Sequence, residues 1–93
     1  MKAKHTPGPW KVVNGTNDFY IRSQSGDHIA KLPDTQEGSA NARLIAEAPE
    51  LLAACIEARA DIEDAIKAEV CSLDDFRGTL RVLKTAIARA RNK

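Results

Sequence analysis

Two polar residues, Asn41 and Arg43, stand just ahead of an apolar stretch and have the chemistry to bind a phosphorylated ligand. They follow Gly38-Ser39, and the free backbone N–H groups at the start of a helix attract anions. An arginine guanidinium matches the geometry of a phosphate, and an asparagine amide can hydrogen-bond a base edge or a ribose hydroxyl. Tyr20 or Phe19, earlier in the chain, could stack on a purine. These residue types could form a nucleotide-binding site.

A structural role for the same residues stays open. Asn41 could hydrogen-bond the backbone of the preceding connector, and Arg43 could pair with an acidic residue such as Asp34 or Glu37. Trp10 also has two interpretations, as the anchor of a core or as a ring that stacks on a ligand. We expect the core role for Trp10, because the few aromatic residues must supply much of a small interior.

A basic stripe near the C-terminus offers a second place for phosphates. Arg77, Arg81 and Lys84 recur at i, i+4 and i+7, which puts them on one helical face. The helix dipole alone favours cations near the C-terminus of any helix. The preceding segment is acidic, and it partly cancels the positive potential of the basic stripe. Nucleic-acid binding is therefore only a second alternative, and the lack of interleaved aromatic residues disfavours it.

The residue types that catalyse reactions are sparse. His5 and His28 are the only histidines, and no serine or cysteine stands in a recognisable nucleophile motif. Cys55 and Cys71 do not form the paired spacing of a zinc site, and we expect both to be reduced thiols. We therefore predict no enzymatic activity, no metal site and no cofactor.

Length and charge limit the fold and the partners. The chain has 93 residues and a formal net charge of +1, so we expect a single domain, 1–93, with no global nucleic-acid or membrane signature. No apolar run approaches the roughly 20 residues of a membrane-spanning helix. The cysteine content fits a cytoplasmic location. Because a chain this short has a small interior, we expect it to associate as a homo-oligomer.

Residues 1–38 predict a three-stranded antiparallel meander. Short segments rich in β-branched and aromatic residues are separated by the turn signals Asn14-Gly15 and Ser25-Gly26. The predicted strands are Trp10–Asn14, Phe19–Ser23 and Asp27–Leu32. A sheet this small needs cover on one face, and we expect the helical residues 39–93 to supply it.

Residues 39–93 predict helices. A polar connector, 33–38, leads to Ser39, which is placed to cap the first helix. Pro49 disfavours helical geometry at the residue before it. We expect either a kink or a break there, with Pro49 opening a long helix that runs to about Val70.

The last helix is predicted to start at Ser72, with Asp75 completing a capping box. Its apolar seam is Leu73, Phe76, Leu80, Leu83, Ile87 and Ala90. The preceding helix has a seam of Ala48, Leu51, Cys55, Ala58, Ile62 and Ala65, broadened by Leu52, Ile56 and Ile66. Helices joined by a short link fold back on each other. The predicted fold class is α+β, a short three-stranded antiparallel meander followed by a two-helix antiparallel hairpin, in an oligomer.

Two motifs carry a family resemblance. The segments His5-Thr-Pro-Gly-Pro-Trp10 and Asn41-Ala-Arg-Leu-Ile-Ala-Glu-Ala-Pro-Glu-Leu-Leu52 resemble small proteins of tailed bacteriophages and prophages with the pattern HTPGPW … NARLIAxAPELL. The motifs bracket the N-terminal half of the chain. The resemblance implies a phage or prophage setting inside a host cell, and it implies no particular chemistry.

The predicted order of elements is similar to that of oligomeric phage sponge proteins that counter Thoeris-type immunity. That similarity implies an anti-defence role, in which an oligomer binds and sequesters a cyclic nucleotide-like immune signal at subunit interfaces. The implied contact residues are Tyr20, Arg22, Asn41 and Arg43, with Arg77 and Arg81 contributing across an interface. The alternative is a protein-interaction module that inhibits a host or defence complex.

Overall fold

The computed structural model describes residues 5–91 and has the predicted α+β class. The elements are β1 (Trp10–Asn14), β2 (Asp18–Ser23), β3 (His28–Pro33), α1 (Gln36–Ala46), α2 (Ala48–Lys67) and α3 (Leu73–Ala90). The described residues fall into two compact units that divide between Leu51 and Leu52. The first unit holds the sheet and α1, and the second holds most of α2 and all of α3.

The sheet is the predicted antiparallel meander, in the order β1-β2-β3. The strand bounds agree with the sequence prediction to within one residue. Gly26 sits in the turn between β2 and β3 with a positive φ of 94°, a backbone conformation that glycine adopts without steric cost. One irregularity between Ile21 and Arg22 shifts the register of β3 against β2.

The strand register sorts the side chains onto two faces. Val12 lies opposite Ile21, and Ile21 lies opposite Ala30, so the three share a face. α1 packs on this face, where Ala42 and Ala46 join the buried Ile21. The half-buried residues around them are Trp10, Val12, Phe19, Ile29, Ala30, Leu32 and Ile45. Trp10 therefore belongs to the core, as predicted, and α1 supplies the cover that the sheet requires.

The start of α1 differs from the prediction. The cap was predicted at Ser39, but the side chain of Thr35 accepts a hydrogen bond of 2.9 Å from the backbone N–H of Gly38, and α1 begins at Gln36. Gly38 permits this earlier start, because a Cβ at that position would collide with the carbonyl oxygen of Pro33. The predicted polar connector is thereby reduced to two residues.

Pro49 produces a break between two helices. α1 ends at Ala46, Glu47 forms its C-cap, and α2 begins at Ala48. Pro49 lies in the first turn of α2, where its missing N–H leaves no hydrogen bond unmade. The N–H of Leu51 donates to the carbonyl of Glu47 at 2.9 Å, so helical hydrogen bonding resumes directly after the break.

α2 ends at Lys67, three residues before the predicted end at Val70. The N–H of Val70 donates to the carbonyl of Ala65, and the N–H of Glu69 donates to the carbonyl of Ile66, both at 3.0 Å. These two bonds form a Schellman-type C-cap, which requires a residue in the left-handed region. Glu69 occupies that position with a φ of 61°.

α3 begins as predicted. Ser72 accepts a hydrogen bond from the N–H of Asp75, and the Asp75 carboxylate accepts one from the N–H of Ser72, which completes the capping box. The predicted seam is centred on Leu80 and Ile87, which are buried. None of the helices in residues 5–91 is long and apolar enough to cross a membrane.

The half-buried side of α2 is shifted from the predicted seam toward Leu52, Ile56 and Ile66, and it also includes Arg59 and Glu63. The Glu63 carboxylate lies 3.6 Å from the Lys84 ammonium of α3 and 3.8 Å from the Arg59 Nε of its own helix. Among the predicted seam residues of α2, Ala48, Leu51 and Ala58 are exposed. Along α2, all of which is described, no residue is fully buried.

Candidate functional site

The sheet face turned away from α1 carries a row of three basic side chains. The register places Lys11 of β1 opposite Arg22 of β2, and Arg22 opposite His28 of β3. Directly opposed side chains on neighbouring strands have Cβ atoms about 4.5–5.5 Å apart. Lys11 and His28 are exposed and Arg22 is half-buried, so the row is open to solvent.

Tyr20 lies beside this row on the same face. The Arg22 guanidinium carbon stands 5.7 Å from the centroid of the Tyr20 ring, within the range of a cation–π contact. The His28 ring meets the Tyr20 ring edge-on, with the centroids 6.1 Å apart. Arg22 also donates to the carbonyl of Gly26 at 3.4 Å, a contact that helps to orient the guanidinium.

Lys31 and Asp18 lie on the other side of Tyr20. Lys31 is the cross-strand neighbour of Tyr20 on β3, and its ammonium lies 3.7 Å from the Asp18 carboxylate. Among the described strands, Asp18 is the one acidic residue on this face. We call the six residues Lys11, Asp18, Tyr20, Arg22, His28 and Lys31 the basic sheet face.

The electrostatics of the basic sheet face favour an anion. Like charges directly opposite each other across strands destabilise a sheet, and Lys11 and Arg22 are such a pair. The Asp18 carboxylate contacts Lys31. Tyr20 lies between Asp18 and Arg22 along β2, so this carboxylate does not neutralise the pair of Lys11 and Arg22. A phosphate placed over Lys11 and Arg22 would remove their repulsion and form charge-assisted hydrogen bonds.

The predicted pair Asn41 and Arg43 lies elsewhere. Both are exposed on α1, and Arg43 donates to the Ser39 hydroxyl at 3.1 Å. Because α1 packs on the opposite side of the sheet, the sheet separates these two residues from Tyr20 and Arg22. The four residues predicted in the first unit therefore form two groups, and only Tyr20 and Arg22 contact each other.

The predicted residues Arg77 and Arg81 belong to the second unit, where both are exposed on α3. Arg77 lies 3.0 Å from the Asp74 carboxylate, and Lys84 lies 3.6 Å from the Glu63 carboxylate. Two of the three cations in the basic stripe thus already face an acidic group. This arrangement weakens the case for phosphate binding by α3.

The N-terminal motif contacts the second motif and borders a shallow depression. A Cβ added to Gly8 would lie only 2.6 Å from the Cβ of Pro49, so the two segments pack closely. Pro7, Gly8, Gln24 and Ser25 line an open depression of about 360 Å³. Since its lining carries no charged side chain, the depression suits a phosphate less well than the basic sheet face does.

Sequence reasoning missed Lys11, His28 and Lys31. Lys11 and Lys31 alternate with apolar residues on β1 and β3, which indicates a solvent-facing side. Their position beside Tyr20 and Arg22 depends on the register, and the register shift at Ile21 and Arg22 gives no clear sequence signal. The alternation of polar and apolar residues could have identified the solvent-facing side of each strand. It could not have shown that Lys11, Arg22 and His28 lie side by side.

The comparisons with known proteins place the chain in a phage family. The family model described as Salmonella phage P22 protein Y8K6 matches residues 1–93. No curated protein and no solved structure matches the chain. Because the family match covers all 93 residues of the sequence, the chain belongs to the Salmonella phage P22 protein Y8K6 family.

Proposed function

We propose that this phage protein is a non-enzymatic anti-defence accessory protein that binds and sequesters a nucleotide-type immune signal. It acts as an oligomer in the cytoplasm of the host cell. The observation that carries this proposal is the row of Lys11, Arg22 and His28 beside the ring of Tyr20.

The basic sheet face offers the two kinds of contact that a nucleotide needs. Its cations can bind phosphate oxygens, and Arg does so with a planar fork. The Arg22 guanidinium lies over the Tyr20 ring, and nucleobases stack on both aromatic rings and guanidinium planes. A nucleotide whose base stacks on this pair would bring its phosphates within reach of the basic row.

The length of the row favours a ligand with more than one phosphate. Adjacent strands are about 4.8 Å apart, so three basic residues on three strands span roughly 10 Å. A single phosphate would have to draw all three side chains together to contact them at once. A ligand with two or more phosphates, or with a cyclic or linked pair of nucleotides, matches this span better.

Binding to a panel of small molecules tests the proposal directly. Equilibrium dialysis at low salt against adenosine, cyclic AMP, ADP-ribose and inorganic phosphate shows how far the base and the phosphates of a ligand each contribute to binding. We expect ADP-ribose to bind most tightly and adenosine least, since charge and stacking act together. Bound nucleotide should be recovered unchanged after dialysis, as sequestration requires. Conversion of the ligand would contradict a non-enzymatic role.

A matched pair of arginine variants tests the place of binding. Arg22→Gln should weaken ADP-ribose binding at least tenfold, because a hydrogen bond to a charged group contributes about 1.5–3 kcal/mol. Arg43→Gln removes the same charge from the other side of the sheet and should leave binding unchanged. The reverse result would move the site to α1. Retention of none of the four molecules would count against nucleotide sequestration as a whole.

One observation favours the alternative of a protein-interaction module. Leu44 is 63% exposed on α1, close to Asn41 and Arg43 in the sequence. Single exposed leucines are common on protein surfaces, so Leu44 alone does not identify a partner, but burying it against a host or defence protein would be favourable. If dialysis shows no ligand, a pull-down from host lysate should recover a stoichiometric partner with the native chain but not with Leu44→Glu.

A further inference from the structure

We propose that one side of the α2–α3 hairpin is the surface on which a second copy of this chain packs, giving a two-fold dimer. The two helices of one copy would join those of the other in a four-helix arrangement. This inference deepens the proposed function, which includes an oligomer, by naming the surface that joins the copies. It rests on the burial and charge of the hairpin and requires no ligand.

The hairpin leaves the predicted seam of α2 incompletely covered. Cys55 and Ile62 are half-buried and Ala58 is exposed, although all three belong to the apolar seam. The half-buried side of α2 is centred on Arg59 and Ile66, and the contact between Glu63 and Lys84 places α3 on that side. The seam of α2 therefore lies at the edge of the contact with α3, and its outer residue Ala58 is exposed.

α3 has two exposed apolar residues outside its seam. Val82 is 61% exposed and Ala86 is exposed, whereas Leu83 is half-buried. Residues on an α-helix are separated by about 100° around the axis. On that basis Ala86 lies about 100–120° and Val82 about 140–160° around the axis from the buried residues Leu80 and Ile87.

The two apolar sides face the same direction. Each helix is viewed from its own N-terminus, with the side that packs against the other helix as the reference. In both views the exposed apolar residues, Ala58 on α2 and Val82 on α3, lie counter-clockwise from that side. Because α2 and α3 are antiparallel, equal rotations about the two axes lead to the same side of the hairpin. Cys55, Ala58 and Ile62 thus share one side with Val82 and Ala86.

Charge complementarity identifies a second copy as the occupant. α2 carries five acidic and two basic residues, and α3 carries two acidic and four basic residues. In the four-helix arrangement whose two-fold axis runs parallel to the helices, each α2 lies between its own α3 and the α3 of the other copy. Every acidic helix then has two basic neighbours, and the apolar sides are covered at the same time.

The mass of the protein in solution tests this dimer. Sedimentation equilibrium of the full chain at about 10–100 μM should give twice the 10.1 kDa of one chain. Ala58→Lys and Val82→Lys each place a long charged side chain in the proposed contact. Each should weaken dimerisation at least tenfold, and the helical circular dichroism signal should be kept, because lysine is a good helix former.

Ala60→Lys is the matched control, since Ala60 is exposed on the same helix but about a half turn from Ala58. It should leave the mass of a dimer unchanged. A native chain that sediments as a single copy at 100 μM would overturn the proposal, and so would dimers of Ala58→Lys and Val82→Lys as stable as the native dimer. The ADP-ribose measurement is separate, so loss of the dimer and loss of nucleotide binding can be told apart.

Discussion

Gly38 shows how one residue fixes the position of a helix. Its backbone lies so close to the carbonyl oxygen of Pro33 that no side chain fits between them. The contact brings the first turn of α1 onto the end of β3, where the Thr35 side chain caps it. Gly38 therefore acts through close approach, since it is inside a helix where glycine is otherwise unfavourable.

We expect Gly38→Ala to destabilise the sheet unit by about 1–3 kcal/mol, the usual cost of overpacking. Urea unfolding followed by the fluorescence of Trp10, the single tryptophan, measures this change. Gly78→Ala is the matched control, because a Cβ at Gly78 meets no atom within 4 Å. That substitution should stabilise α3 by about 0.5–1 kcal/mol through helix propensity. Equal effects of the two substitutions would show that the contact with Pro33 is unimportant.

On the scale of one element, the end of α2 contains a residue that is poorly suited to its conformation. Glu69 has a φ of 61° at the position of the Schellman cap that glycine usually occupies. The cap nevertheless forms, because Ala65 and Ile66 provide the carbonyl acceptors and the chain must turn into α3 within a few residues.

Glu69→Gly should raise the free energy of unfolding of the hairpin by about 0.5–1 kcal/mol, since the left-handed conformation carries no steric cost for glycine. Thermal unfolding followed by circular dichroism at 222 nm measures the shift. The same change in mid-helix, Glu57→Gly, should lower stability by about 1 kcal/mol. A loss of stability in Glu69→Gly would mean that the glutamate side chain contributes more than its conformation costs.

At the scale of single elements, some features of the fold could be predicted from the sequence and others could not. The strands and the capping box of Ser72 and Asp75 were predicted because local residue types determine them. The cap at Ser39 was wrong because Gly38 and Pro33 fix the helix start through a contact that no local pattern encodes. The basic row was missed because it depends on pairing between strands.

On the scale of the whole molecule, each unit has its own small interior. The sheet unit is built around Ile21, Ala42 and Ala46, and the hairpin is built around Leu80 and Ile87. Neither interior is large, so each depends strongly on single side chains. The placement of the basic sheet face on one unit and the proposed dimer surface on the other should let the proposed nucleotide binding and the proposed dimerisation be changed separately.

Two substitutions test whether the units unfold separately. Ile21→Ala removes a fully buried side chain from the sheet unit and should cost about 2–5 kcal/mol. We expect the urea midpoint of Trp10 fluorescence to fall further than the midpoint of the signal at 222 nm, which α2 and α3 dominate. Leu80→Ala in the hairpin should reverse that order, because it leaves the sheet core intact. Equal shifts of the two unfolding midpoints in both variants would show a single cooperative core, and substitutions in the hairpin would then also change the proposed nucleotide binding.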